Sequence, residues 1–420
     1  MTALLVDRVE LTPVAFPDPP LLNSVGVHQP WALRTIVQLR VGDLVGLGET
    51  YGDADHLALL RRAAPAVPGI DPFDLNGLQA RIRAALGTVD TPDLHGLTGG
   101  SSVDKTLLRV LSAFEVACLD LQGQAIGRPV HALLGGKVRD AVPFSAYLFY
   151  KWGAHPGAEP DEWGEALDPD GIVAQAKNMV GRYGFRSIKL KGGVFAPEEE
   201  IAAIRALRSA FPDHPLRLDP NAAWSVPTSR AVAERTAGLL EYLEDPTPGI
   251  AGMAEVAAGA PMPLATNMCV ITFADIPEAF AKRAVGVVLG DHHFWGGLRL
   301  TQRLAGICET YGVGLSMHSN SHLGISLAAM VHLAAATTNL SYAADTHTPW
   351  QCGVDVLAEP LSFVDGSVPV PDAPGLGVRL DPDALARMHA DHERCGIRSR
   401  DDTGYLKSID PTYERRQPRW

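Results

Sequence analysis

The 420-residue chain is poor in cysteine, and its five cysteines stand far apart at Cys118, Cys269, Cys308, Cys352 and Cys395. That spacing offers neither a zinc pattern nor a disulfide framework, and it suits a reducing compartment. Long apolar runs are missing as well. None approaches the roughly 18 residues of a membrane span. The opening "MTALLVDRVELTPVAF" places acids inside its first apolar stretch, unlike a secretory h-region. A cytoplasmic protein without a membrane partner is expected. Basic charge is in deficit, 36 Lys and Arg against 48 Asp and Glu, for a formal net charge of −12. That argues against a nucleic-acid partner, which would need a basic face. An acidic small molecule stays open as substrate, because local lysines and a metal override the global field. No Gly-rich phosphate loop follows an early strand, and "GLGETYG" lacks the dinucleotide spacing.

What is present is ordinary in bulk, 46% hydrophobic and 20% charged, and informative in pattern. "RVELTPVAF" and "LRTIVQLRVGDLVGLGETYG" alternate like strands, the second turning at Gly42 and Asp43. From Ser102 to about Leu134 the apolar positions recur at helical spacing and close on paired glycines. Residues 1–138 therefore read as an α+β unit. Beyond it, short apolar runs end in polar clusters and helical stretches follow. The landmarks Lys191, Asp219, Glu244, Asn267, Asp291, His318 and His347 recur at about 25 residues, one strand plus one helix. "VPFSAYLFYK" supplies an earlier strand. Chemistry at nearly every strand end favours a closed barrel over an open sheet, because barrel strand ends converge on one mouth. Residues 139–364 are expected to form it, and residues 365–420 a separate C-terminal segment.

Asp219, Glu244 and Asn267 would come from consecutive strands. Two carboxylates and an amide oxygen suit a hard divalent cation, Mg²⁺ above all. Taken singly, Asp219 and Glu244 read as turn or loop acids; in register they read as ligands. Lys189 and Lys191 share one strand face, and burying two ammonium groups is costly without an anionic or metal site beside them. Lys191, at the strand tip, is the better base, and Lys189 the better partner for a substrate carboxylate. His318 ends one run and Asp291 the run before, which makes a dyad rather than a lone core histidine. His322 reads as structural, while His292 and His293 have no clear role. Two bases facing each other across a carboxylate-bound metal imply removal of a proton α to a carboxylate.

These residues, in "KLKGG", "LDPNAAW", "LEDPT", "ATNM", "DHHFW" and "MHSNSHLGIS", resemble the enolase superfamily. Within it they are similar to acid-sugar dehydratases of the mandelate racemase type, glucarate dehydratase in particular. The amide of "ATNM" is the distinguishing feature, since most relatives place a carboxylate there. The resemblance implies a (β/α)7β TIM-like barrel with an α+β N-terminal capping domain, completed by the C-terminal segment. It implies Mg²⁺ on Asp219, Glu244 and Asn267, with Lys191, His318 and Asp291 catalytic. Substrate would be held by Lys189, Asn221, Ser319, Asn320 and His347, with His28 reaching in from the cap and Tyr147 from the first barrel strand. The implied reaction is loss of water from a glucarate-like diacid: abstraction at C5, departure of the C4 hydroxyl, and His318 as general acid. Assembly of several identical chains is implied as well. Three departures stand out. Gln417 stands where the family places an arginine before the final proline, with Arg415 and Arg416 just ahead. The loop after Glu244 is short, and Ser321 replaces an asparagine.

Two alternatives share the barrel: a dehydratase or epimerase for another acid sugar, and a silent barrel used as a binding module. A metal-dependent hydrolase would want an HxH pair in "VPFSAYLFYK", which has none.

Overall fold

The computed structural model describes residues 4–92 and 101–420. The chain opens with β1 (Arg8–Pro17), a short ribbon of β2 (Leu22–Asn23) and β3 (Gly26–Val27), and a hairpin of β4 (Trp31–Val41) and β5 (Leu44–Tyr51). The hairpin turns on Gly42 and Asp43, where Gly42 takes the positive φ of 54° that the tight turn requires. β1, β4 and β5 form an antiparallel sheet in that order. Helices α1 (Ala54–Ala63), α2 (Leu75–Leu86) and α3 (Val103–Ile126) cover it. Ser102 caps α3 by accepting from the N–H of Lys105, and Gly127 ends it in the left-handed region at φ 67°. The helix thus stops short of the paired glycines, because the turn at Gly127 and the proline at Pro129 interrupt it. A separate short α4 (Val130–Leu133) and β6 (Ala141–Pro143) follow.

Seven parallel strands come next: β7 (Ala146–Phe149), β8 (Ile188–Lys191), β9 (Leu216–Asp219), β10 (Tyr242–Glu244), β11 (Leu264–Thr266), β12 (Val287–Gly290) and β13 (Gly314–Met317). They pair in chain order. Between and after them run α5 (Pro169–Tyr183), α6 (Pro197–Ala210), α7 (Val226–Arg235), α8 (Gly249–Ala257), α9 (Ile276–Ala281), α10 (Leu298–Tyr311) and α11 (Gly324–Ala335). The eighth segment, "LSYAADTH", is not a continuous strand. Leu340 bridges Leu315 of β13, and Ala344 bridges Phe144 just ahead of β7. The N–H of Asp345 donates to Met317 O at 2.8 Å, and that of Ser145 to Ala344 O at 2.9 Å. The same few residues serve both neighbours and close the ring without a ladder. The architecture is a (β/α)7β TIM-like barrel.

The remaining chain returns to the first sheet. β14 (Ser367–Pro369) pairs with β6, α12 (Pro382–Cys395) packs on β1, and α13 (Asp402–Ile409) lies against β3. His389 of α12 bonds Pro13 O at 2.8 Å, so the cap is built from both ends of the chain.

Candidate active site

The C-terminal ends of the barrel strands converge on a small cavity. Its walls include Lys191, Asn221, Asn267, His318, Asn320 and His347 from the barrel, Tyr147 from β7, and His28 and Arg400 from the cap. A cationic lining in a chain of net charge −12 suits an anionic ligand.

β8 sets both lysines on its inward face, because alternate residues of a strand point the same way. Their environments differ. Lys191 Nζ lies 2.7 Å from Asp219 Oδ2, directly across the β8–β9 register. Lys189 Nζ lies 2.6 Å from Glu244 Oε2, 2.7 Å from Asp345 Oδ2 and 3.5 Å from Asp219 Oδ2. It sits fully buried beneath the cavity rather than on its wall. That differs from its expected contact with a substrate carboxylate: three protein carboxylates already surround it. Burial disfavours its charge, yet those carboxylates hold Lys189 far above the usual lysine range. Burial would likewise raise Asp219, but Lys191 and Lys189 draw it down to about 2. Tyr147 stacks its ring 4.7 Å from Lys189 Nζ and 5.7 Å from Lys191 Nζ.

Asp219, Glu244 and Asn267 stand at the ends of β9, β10 and β11. Glu244 Oε1 and Asn267 Oδ1 are buried and have no hydrogen-bond partner among the described residues. Buried oxygens left unmatched are costly, and a hard cation matches them. Burial and the nearby Asp219 charge push Glu244 well above the carboxylate range, as expected of acids crowded together. The backbone beside them is held in the left-handed region at three non-glycine residues, Asn221 (φ 50°), Ala222 (φ 57°) and Asp245 (φ 37°). Such strain collects where structure over-determines a site. Asp245 takes the N–H of Asn267 at 2.8 Å and the hydroxyl of Thr266 at 2.5 Å, which fixes the turn presenting Asn267.

On the opposite side, His318 Nδ1 lies 3.0 Å from Asp291 Oδ2. Asn320 donates to the Tyr51 hydroxyl at 3.1 Å, and Ser319 Oγ lies 3.1 Å from His347 Nδ1. Ser319 thus orients His347 and is not itself part of the cavity wall. Burial, then the neighbouring imidazoles and Lys191, hold His347 well below the usual range and neutral. His28 bonds Asp18 through Nδ1 at 3.0 Å, and Arg400 Nη2 donates to its Nε2 at 3.1 Å. His322 precedes α11 and is buried against its own neighbour, Nδ1 donating to Leu323 O at 3.1 Å.

Gln417 donates to Asn221 O at 2.5 Å. The arginine that reaches the cavity is instead Arg400, paired with Asp402 at 2.6 Å. Sequence reasoning missed it, and missed Asp345 beneath Lys189. "RSRDD" looks like a solvated charge cluster, and Asp345 differs from a loop acid only by closing the ring.

The family described as Enolase C-terminal domain-like matches residues 171–384. A probable glucarate dehydratase of Streptomyces coelicolor is 56% identical, with 99% of each chain covered. The chain belongs to the enolase superfamily. Over its full length this superfamily member is glucarate dehydratase-like, a hydro-lyase. An enolase of Thermobispora bispora, crystallised with magnesium and formate, superposes with a TM-score of 0.98 at 63% identity, covering 99% of this chain and 100% of that one. An enolase of Mycobacterium smegmatis complexed with tartrate gives 0.96 at 64% identity, covering 100% and 99%.

Proposed function

We propose that this enzyme dehydrates an acid sugar with a carboxylate at each end, D-glucarate or a close isomer, to a keto-deoxy diacid. The observation that carries the reading is that Lys191, His318 and Arg400 line one cavity. Asp219, Glu244 and Asn267 would hold Mg²⁺, whose positive charge would offset the negative charge that builds on the substrate carboxylate as the α-proton leaves. Lys189, held beneath them, bridges the two acids, 3.5 Å from Asp219 Oδ2 and 2.6 Å from Glu244 Oε2. One of the opposed bases removes the proton at C5. With His318 as that base, Asp291 stabilises the imidazolium formed, and the ring returns its proton to the departing C4 hydroxyl as water leaves. Lys191, across the cavity, serves the opposite configuration at C5, so epimerisation accompanies elimination for some substrates. Arg400, with its planar donors, suits the distal carboxylate. Relatives support this: one is named a probable glucarate dehydratase, and a neighbour binds tartrate, itself a hydroxylated diacid.

The test is incubation with Mg²⁺ and a panel of hexarates and hexonates, scored by semicarbazide absorbance. D-glucarate should give keto acid. Lys191→Met and His318→Asn should each lower turnover by about 10³-fold or more, with Mg²⁺ affinity within a few-fold of wild type by calorimetry. No keto acid from any sugar acid, and no solvent deuterium entering an α-position, would sink the reading.

A further inference from the structure

Asp291 is shared by two imidazoles. Its Oδ2 takes Nδ1 of His318 at 3.0 Å, while its Oδ1 takes the backbone N–H of His293 at 2.9 Å and Nδ1 of the His293 ring at 2.7 Å. The remaining nitrogen of His293, Nε2, lies 2.8 Å from Arg34 Nη2 and 2.8 Å from Ser326 Oγ. A guanidinium has only donors. Nε2 must therefore offer it a lone pair, which puts the ring proton on Nδ1, pointing at Asp291. Arg34 cannot swing away easily: its Nε lies 2.7 Å from Glu49 Oε1. Glu49 in turn accepts the N–H groups of Leu323 and Ser326, each at 2.8 Å, at the start of α11. All of these side chains are buried. Arg34 lies on β4 and Glu49 on β5, so two strands of the cap hold the residue behind the barrel's dyad.

We propose that His293 is a positioning residue: fixed as the Nδ1–H tautomer by Arg34, it holds the Asp291 carboxylate so that Oδ2 faces His318. This rests on His318 being an acid/base of the reaction. A carboxylate with one partner is free to rotate about its bond to Cβ; a carboxylate clamped on Oδ1 by a ring and a backbone N–H is not. The cap thereby sets the orientation of a base carried by the barrel.

Two readouts test it. Nitrogen-15 NMR of the wild type should show the His293 ring proton on Nδ1 with Nε2 unprotonated; a ring carrying a proton on Nε2 overturns the assignment. In kinetics, His293→Leu should lower kcat at least tenfold with KM within about twofold. His293→Asn, whose amide nitrogen falls near the position of Nδ1, should recover most of that loss. In an Asp291→Ala background, His293→Leu should cost no more than about twofold further, because the effect runs through Asp291. An equal loss there, or no rescue by Asn, overturns the proposal. If His293→Leu does not fold, His293→Gln, whose amide reaches toward the Nε2 position, should show the loss that Asn does not. Should the wild type turn over no sugar acid, the dehydratase reading fails. The NMR arm then still decides this one: the His318 Nδ1 resonance should move in His293→Gln and stay near its wild-type position in His293→Asn, and equal spectra overturn it.

Discussion

Lys189 and Lys191 stand on the same face of β8, yet only Lys191 reaches the cavity. Strand alternation makes them equivalent; depth makes them different. The one-layer difference leaves Lys189 in contact with the carboxylates of Asp219, Glu244 and Asp345 rather than on the cavity wall. Arg400 is the converse case, a residue without a motif that tertiary structure delivers to the cavity. Arg400→Gln should raise KM for a hexarate about 100-fold, the worth of a lost bidentate charged contact, and leave a hexonate within about threefold. Equal losses on diacid and monoacid, measured by steady-state kinetics, would instead assign Arg400 to holding Asp402 and His28 in place. At this scale the candidate ligands and bases were legible, since each sits at the end of an apolar run. Arg400 and Asp345 were not, because what they contact lies in other parts of the chain.

β5 and α3 show why the glycines of "GLGETYG" are there. A Cβ on Gly48 would lie 2.1 Å from Ala113 O, and one on Gly46 would lie 2.1 Å from Ala117 O, both backbone atoms of α3. The glycines let helix and strand approach. Backbone cannot yield as a flexible side chain does, so Gly48→Ala should destabilise the protein by about 3 kcal/mol or more, read by chemical denaturation. A milder effect would mean that α3 can shift away from β5. The motif was visible in sequence, and its low promise as a cofactor loop was too. Its packing role needed the helix that lands on it. The same holds for the eighth barrel segment: its hydrophobic pattern announced a strand, but ring closure divides its hydrogen bonds between β13 and β7.

The molecule as a whole is joined by buried side chains that bridge distant segments. His332 of α11 is one: its Nδ1 accepts the N–H of His131 at 3.2 Å and its Nε2 donates to Leu376 O at 3.0 Å. Burial, outweighing the bond to Leu376 O, lowers it to about 4. The unfolded chain protonates this ring below about pH 6.5 while the folded chain keeps it neutral. Its contribution to stability is therefore complete above about pH 6.5 and is lost as pH falls toward 4. By pH 5 that loss is about 2 kcal/mol. The Tm of His332→Gln should consequently fall by a few degrees less than that of wild type between pH 7.5 and pH 5, in parallel calorimetric scans. Parallel curves would show that His332 titrates alike in both states. Among the described residues no helix is long and apolar enough to cross a membrane.

The order of βα units, the identity of the strand-end acids, amide, lysines and imidazole, and the resemblance they carry were determined by the sequence alone. Those features are local: a run, its period and the polar residue that ends it. Tertiary structure decided which lysine faces the cavity, which arginine lines it, and that His293 stands behind Asp291 with Arg34 behind it. Each of these depends on depth and on contacts between segments hundreds of residues apart, and hydrophobic periodicity carries no record of either.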